Sequence, residues 1–326
     1  MPLPLLKQTV AAAVLIHRVA YNYAPAVIHD GALYHLYWCA GADGDTILHL
    51  QAPALAGPWR PASFWSRFDV ALRPTRSPLD FDGRHTCDPN VIKLGGTFYL
   101  YYTGEAKDGA LGAIGVAASR DAIHFERLNG GKPIVLPAKS NATYAADGLT
   151  YGAGQPAAAF VTPYVYLSFT DSTGAGGDGQ YVLRSPDPVF GKDVEELTGA
   201  GWQPRAPGQR SGALSWLESY GLDLMFDPPS GTLLAATDRV AGETTVIAID
   251  PKTMQPLAEG DLPLAWREGP SLVAEADKTS APRPRCDDLQ LAVAAAAGAS
   301  ESPLTWDALG YSVGEFSLAS VCGRHR

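Results

Sequence analysis

The sequence predicts an all-β fold, a five-bladed β-propeller with about four antiparallel strands per blade, and three observations predict it. One phrase is written repeatedly along the chain: Tyr23-Ala-Pro-Ala-Val-Ile-His-Asp-Gly-Ala-Leu-Tyr-His-Leu-Tyr-Trp38 returns as Cys87-Asp-Pro-Asn-Val-Ile-Lys-Leu-Gly-Gly-Thr-Phe-Tyr-Leu-Tyr-Tyr102 and again as Gly154-Gln-Pro-Ala-Ala-Ala-Phe-Val-Thr-Pro-Tyr-Val-Tyr-Leu-Ser-Phe169. Each copy holds an apolar run, a turn and an aromatic run alternating at period two, the pattern of two antiparallel strands. Further strand-like runs follow at matching offsets, among them Ile47-Leu-His-Leu50, Ile114-Gly-Val-Ala-Ala118, Tyr181-Val-Leu-Arg184, Thr245-Val-Ile-Ala-Ile249 and Leu309-Gly-Tyr-Ser-Val313.

Taken in order, the inner strands of the first three units start near Ala24, Asp88 and Gln155. A weaker copy, from Leu222-Asp-Leu-Met-Phe226 to Gly231-Thr-Leu-Leu-Ala235, puts Asp223 in the same slot. One further step lands on Asp287, ahead of Leu289-Gln-Leu-Ala-Val293. The steps are 64, 67, 68 and 64 residues, so five units nearly fill the 326 residues. A repeat of this kind cannot bury its apolar face alone and must stack on its neighbours. Four-stranded units set radially form a propeller, with short protected edges and a funnel along the axis. A β-solenoid is the competing arrangement, but its repeats are usually shorter and this chain has no capping unit. The segment Val10 to Ile16 reads as a strand that helps close the ring, because residues 1–16 make a poor signal peptide. Residues 1–326 together read as one domain.

Composition bounds the partners. The 34 Gly and 26 Pro lie between apolar runs and so mark turns, and the 46% hydrophobic content supplies a large core. With 34 acidic against 25 basic side chains, a formal charge of −9 and no basic block, nucleic acid is excluded as a partner. No apolar stretch reaches 18 residues, which excludes a helical membrane span. An acidic, aromatic-rich funnel suits a neutral polyol, an oligosaccharide or polysaccharide. Nothing in the sequence specifies a compartment. Cys39, Cys87, Cys286 and Cys322 show neither a dense disulfide framework nor a metal-ligand spacing and are expected as buried free thiols. The run Gly174-Ala-Gly-Gly-Asp-Gly179 lacks a following Lys-Ser/Thr and reads as a hairpin loop, not a phosphate cradle. Asn141-Ala-Thr143 matches a glycosylation acceptor triplet.

The innermost strand of each blade lines the axis, so the five equivalent positions should ring one pocket: Ala24, Asp88, Gln155, Asp223 and Asp287. Tyr21, Tyr23, His85, Tyr151, Glu218 and Arg285 flank them. Three carboxylates around one axis repel unless one is protonated, Arg and His neighbours balance them, or a cation such as calcium sits between them. Beyond such a structural cation, no cofactor and no dedicated metal site is expected. Tyr34, Trp38, Tyr99, Tyr101, Tyr102, Tyr166, Trp59, Trp202, Trp216 and Trp306 read as packing.

The pattern Asp-Pro-x-Val-Ile-x-x-x-Gly-x-x-Tyr-Leu-Tyr-Tyr from Asp88 to Tyr102 resembles the blade signature of the five-bladed glycosidases around glycoside hydrolase family 43, the arabinanases, xylosidases and their relatives. Ser119-Arg-Asp-Ala-Ile-His-Phe125 and Gly152-Ala-Gly-Gln-Pro156 echo the same group. The resemblance covers residues 20–240 and fades in the last blade. It implies three acids: a base Asp before the first-blade Pro, a second Asp before the second-blade Pro that orients substrate and tunes its partner, and a Glu acid opening the third blade. Here those positions hold Ala24, Asp88, and Gly154 or Gln155, so the middle one alone matches. Glycoside hydrolysis needs one group to protonate the leaving oxygen and a carboxylate to activate water or attack. The expectation is therefore a glycoside hydrolase-like protein with a non-standard acid set: Asp88, Glu218 and Asp223 catalytic, and Tyr21, Tyr23, His85, Tyr151, Gln155, Asp287 and Arg285 holding substrate. The alternative is a propeller that binds carbohydrate without cleaving it.

Overall fold

The computed structural model describes all residues except 18–21, 42–43, 140–150, 175–178, 210–214, 218, 220, 241–242, 264–268, 298–307 and 323–326. Strand β1 (Leu5–His17) comes first in the chain but joins the last sheet. Blade one holds β2 (Asn22–His29), β3 (Tyr34–Ala40), β4 (Thr46–Ala52) and β5 (Asp69–Leu72). Blade two holds β6 (His85–Leu94), β7 (Thr97–Glu105), β8 (Ala113–Ser119) and β9 (Glu126–Arg127). Blade three holds β10 (Ala153–Val161), β11 (Tyr164–Asp171), β12 (Gln180–Ser185), β13 (Val194–Thr198) and β14 (Gly201–Arg205), and blade four β15 (Leu222–Asp227), β16 (Thr232–Val240), β17 (Glu243–Ile249) and β18 (Pro256–Leu262). After β19 (Ser271–Leu272), the short β20 (Ala274–Glu275) pairs parallel with β2 in blade one. Blade five is completed by β21 (Asp288–Ala297) and β22 (Ala308–Ser317), in the order β1-β22-β21-β19. The all-β, five-bladed expectation is met. Among the described residues the one helical turn is the 3-10 segment Asn129–Gly131, and no helix is long and apolar enough to cross a membrane.

The strand expected at the N-terminus closes the ring: β1 pairs antiparallel with β22 from Leu5 to His17, so the fifth blade is built from both ends of the chain. That pairing also covers an edge that would otherwise present unpaired backbone groups. The core is divided to match. Five buried clusters fill the five gaps between adjacent blades, and neighbouring residues on one strand serve different gaps. Tyr37 packs toward blade two and Trp38 toward blade five, while Tyr101 packs toward blade three and Tyr102 toward blade one. Successive strand side chains point to opposite faces, and both faces are covered, so the strands read as continuous apolar runs. Tyr34, Tyr99, Trp59, Trp202 and Trp216 pack against or within these clusters as expected, and Trp306 lies outside the described residues. Three tyrosine hydroxyls reach the carbonyl of an outer loop on the next blade: Tyr37 to Ala122 (2.7 Å), Tyr101 to Pro188 (2.6 Å) and Tyr166 to Pro251 (2.9 Å). Each buries a large ring without leaving its polar tip unsatisfied.

The expected free thiols are two disulfides. Cys39 on β3 bonds Cys87 on β6 (Cα–Cα 5.2 Å), tying blade one to blade two beside the axis. Cys286 bonds Cys322 (Cα–Cα 6.0 Å), joining the residues that precede β21 and follow β22. Replacing Cys286 and Cys322 together by Ser is expected to lower unfolding stability by about 2–4 kcal/mol, since a closed loop constrains the unfolded chain. Urea unfolding of the two proteins without reductant would measure it, and coincident midpoints would contradict the expectation.

Candidate functional site

Four inner strands begin with the same backbone device. Ala24, Asp88 and Gln155 each precede a proline and each adopt a left-handed backbone, with φ of 46°, 46° and 50°. The ladder skips at each place, between Tyr23 and Ala26, Cys87 and Asn90, and Gly154 and Ala157. A proline has no N–H to give to a ladder, and a bulge re-aims the residue it contains. In blade five Gly269-Pro270 repeats the device, with φ 55° at the glycine. Blade four has no proline, and Gly221 (φ 103°) takes the place before Leu222. All five residues line one axial cavity, with Pro25, Pro89, Asn90, Pro156, Leu222, Asp223 and Pro270. The cavity is narrow, about 30 Å³.

The ring therefore reads Ala24, Asp88, Gln155, Gly221 and Gly269, which corrects two expected members. Asp223 sits two residues past the slot because blade four starts at Gly221. Asp287 precedes β21, the second strand of its blade, because the inner strand of blade five is the two-residue β19. Asp287 is paired with Arg285 at 2.8 Å, and neither lines the cavity. The ring is lopsided. A Cβ added at Gly269 would lie 2.9 Å from the Cα of Ala24, and one at Gly221 would lie 3.1 Å from Oε1 of Gln155. The Ala24 backbone crowds Gly269, and the Gln155 side chain crowds Gly221.

Asp223 is a clamp beneath this ring. Its carboxylate accepts Lys278 Nζ (2.8 and 2.7 Å), Leu272 N (2.8 Å), Leu224 N (2.8 Å), Ser271 Oγ (3.2 Å) and Asn90 Nδ2 (2.8 Å). Asp223 and Lys278 are 2% and 1% exposed. Both carboxylate oxygens are filled with donors, so the group joins blades two, four and five. The three-carboxylate ring that would need a cation is not formed.

Asp88 is the ring's carboxyl. It is buried, and its Oδ2 accepts the Tyr151 hydroxyl at 3.0 Å. Burial raises its pKa, while bonds from the Thr103 hydroxyl, Tyr151 and the Gln155 N–H act in the opposite direction. The sulfurs of the Cys39–Cys87 disulfide lie alongside Asp88 and, being bonded to each other, offer no thiolate to a metal. Gln155 Oε1 accepts the Thr170 hydroxyl at 3.0 Å. His85 stands between two carboxylates, Asp45 (2.9 Å) and Asp108 (2.7 Å), and these bonds, Asp45 foremost, push its pKa up to about 9. Its strand partner Glu105 is pushed up to about 7, by burial first and then by Asp88, Asp45 and Asp108, against the lowering effect of His85.

Of the expected site residues, the structure brings Asp88, Tyr151 and Gln155 together and sets His85 at the same end of blade two. Tyr23 belongs to the core between blades one and five, not to the funnel wall. Tyr21 and Glu218 lie outside the described residues, as do Asn141 to Thr143 and residues 175–178 of the glycine-rich loop. Sequence reasoning missed Glu105, Thr103 and the Gly269-Pro270 copy. The last was open to discovery as a residue before proline, and the first two by alternation along Tyr101-Tyr102-Thr103-Gly104-Glu105.

No family model and no curated protein matches the sequence. Solved structures do match in fold. A family 117 glycoside hydrolase of the marine bacterium Zobellia galactanivorans aligns with a TM-score of 0.64 and 11% identity, over 96% of this chain and 92% of that one. An α-L-arabinofuranosidase of Podospora anserina, solved in complex with cellotriose, gives 0.56 and 12% over 93% and 95%. The catalytic domain of a Coprinopsis cinerea α-L-arabinofuranosidase gives 0.57 and 12% over 99% and 100%. At such identities the likeness is one of fold: this chain shares the five-bladed propeller of glycoside hydrolases.

Two outcomes follow from the electrostatics. Lys278→Met leaves a buried carboxylate without its cation and is expected to cost about 3–5 kcal/mol, with partial recovery in the Lys278→Met, Asp223→Asn double variant. Equal stability of the single variant and the native chain in denaturant titration would contradict the clamp. His85 has a folded pKa above the unfolded value of about 6.5, so its contribution is full below that value and disappears as pH rises through about 9. The melting-temperature gap between the native protein and His85→Gln should be widest at pH 6 and should close by pH 10.

Proposed function

We propose that the protein hydrolyses glycosidic bonds of a carbohydrate seated over the funnel mouth, with Asp88 as the carboxylate that activates water. One observation carries the reading: in a ring built otherwise from Ala24, Gln155, Gly221 and Gly269, the bulge before Pro89 aims a buried carboxyl at the axis and Tyr151 holds it there. The narrow cavity admits water and leaves the sugar ring on the mouth side. Burial outweighs the donors bonded to Asp88 and raises its pKa, and a carboxyl raised toward the working pH suits a general base. The propeller neighbours described above are glycoside hydrolases by name, which supports the reaction class. Gln155 is positioned to bond a sugar hydroxyl, and Tyr151 to orient Asp88. Two disulfides suit an oxidising compartment.

A second reading is favoured by Ala24 and Gln155, which stand where the family resemblance implies acids: the funnel binds carbohydrate and does not cut it. Asp88→Asn decides between them. On a panel of furanosides and pyranosides, hydrolysis is expected to fall by about 100- to 10,000-fold in this variant while oligosaccharide binding stays within a few-fold. Binding by the native chain with no turnover on any glycoside would establish the second reading instead.

A further inference from the structure

We propose that Glu105 is the second carboxyl of this site, the general acid that protonates the leaving glycosidic oxygen. The inference rests on the reading of Asp88 as the water-activating carboxylate and goes beyond it by naming the group that completes the pair. Strand β7 sets the geometry. Thr103, which bonds Asp88 and accepts the Gln155 N–H at 2.9 Å, and Glu105 lie two residues apart and therefore share a face of the sheet. Two residues of strand span about 6.8 Å. In register, Glu105 faces His85 where Thr103 faces Cys87, so Glu105 stands at the strand end that carries His85, beyond Asp88 along the blade. That places Glu105 about one pleat beyond the Thr103–Asp88 contact, near enough for the Asp88 charge to act on it, and inversion calls for carboxyls about 6.5–9.5 Å apart.

The surrounding groups set where the proton resides. Asp88 accepts bonds from Thr103, Tyr151 and the Gln155 backbone, which hold back the rise that burial gives its pKa. Among the described residues, no donor is bonded to the Glu105 carboxyl, and Asp45 and Asp108 add negative charge around it, offset by His85 and by Arg84 on Asp108 (3.0 Å). Its pKa of about 7 leaves a proton to give at neutral pH. The neighbouring acids have other duties: Asp45 and Asp108 hold His85, and Asp223 holds Lys278. In the step, water oxygen bonds the anomeric carbon as the bond to the leaving oxygen breaks. The Glu105 proton goes to that oxygen and a water proton goes to Asp88. Exchange with solvent then returns a proton to Glu105 and removes one from Asp88.

The test compares native protein, Glu105→Gln and Asp88→Asn on paired 2,4-dinitrophenyl and methyl glycosides of the same sugars, with melting temperatures as a folding control. A dinitrophenolate leaves without protonation, so Glu105→Gln is expected to lose about 100- to 10,000-fold in kcat/KM on methyl glycosides and less than about tenfold on dinitrophenyl ones. The alkaline limb of the native kcat/KM profile near pH 7 should vanish in the variant. Equal losses on both substrates, or no loss on either, would overturn the role of Glu105 while Asp88→Asn still abolished turnover. A native protein inert on the whole panel would instead remove the hydrolase reading, and this inference with it.

Discussion

The architecture at the funnel depends on a left-handed backbone turn placed at the residue before proline. A non-glycine residue in that conformation costs of order 1–3 kcal/mol, and the residue before proline is normally held extended. Ala24, Asp88 and Gln155 nonetheless share it to within 4° of φ, and Gly269 adopts it at 55°. The five gaps between blades, each filled by its own apolar cluster, supply the packing that holds these turns in place. Because the turn is common to the blades, the residue type alone decides what each one brings to the axis.

Charge is arranged around that frame in two tiers. Below the ring, the Asp223–Lys278 pair is buried and saturated with hydrogen bonds, joining strands from three blades through one carboxylate. Above it, His85, Asp45, Asp108 and Glu105 form a partly exposed group, in which the Glu105 pKa is pushed up to about 7 and that of His85 to about 9. Asp88 lies between the tiers, against the disulfide that ties blades one and two. A rigid lower tier and a titratable upper tier suit a site whose carboxyl must be fixed in position yet reachable by protons.

How far the sequence revealed this depended on how well each blade kept the motif. Three copies kept the proline, and their slots at Ala24, Asp88 and Gln155 are where the alignment placed them. Blade four lost it, so the apolar letters alone set the register and Asp223 was read two residues too high. Blade five has an inner strand of two residues, too short to show a period, and the step to it shrank; fixed spacing then ran past Gly269 to Asp287. The disulfides were illegible for another reason. Cys39 and Cys87 meet only when adjacent blades close on the axis, and no spacing along the chain encodes that approach. Glu105 was missed because its character comes from burial and from the acids gathered around it, not from its letter.

The central claim is that the bulge before Pro89 presents Asp88 to a carbohydrate at the axis. A crystal structure of the native protein with a hydrolysis-resistant thio-linked oligosaccharide tests it most directly. The account predicts the scissile linkage over the funnel, with a water about 3 Å from the Asp88 carboxylate and in line with the anomeric carbon. Sugar bound away from the axis, or Asp88 turned off it with φ in the extended region, would contradict the account.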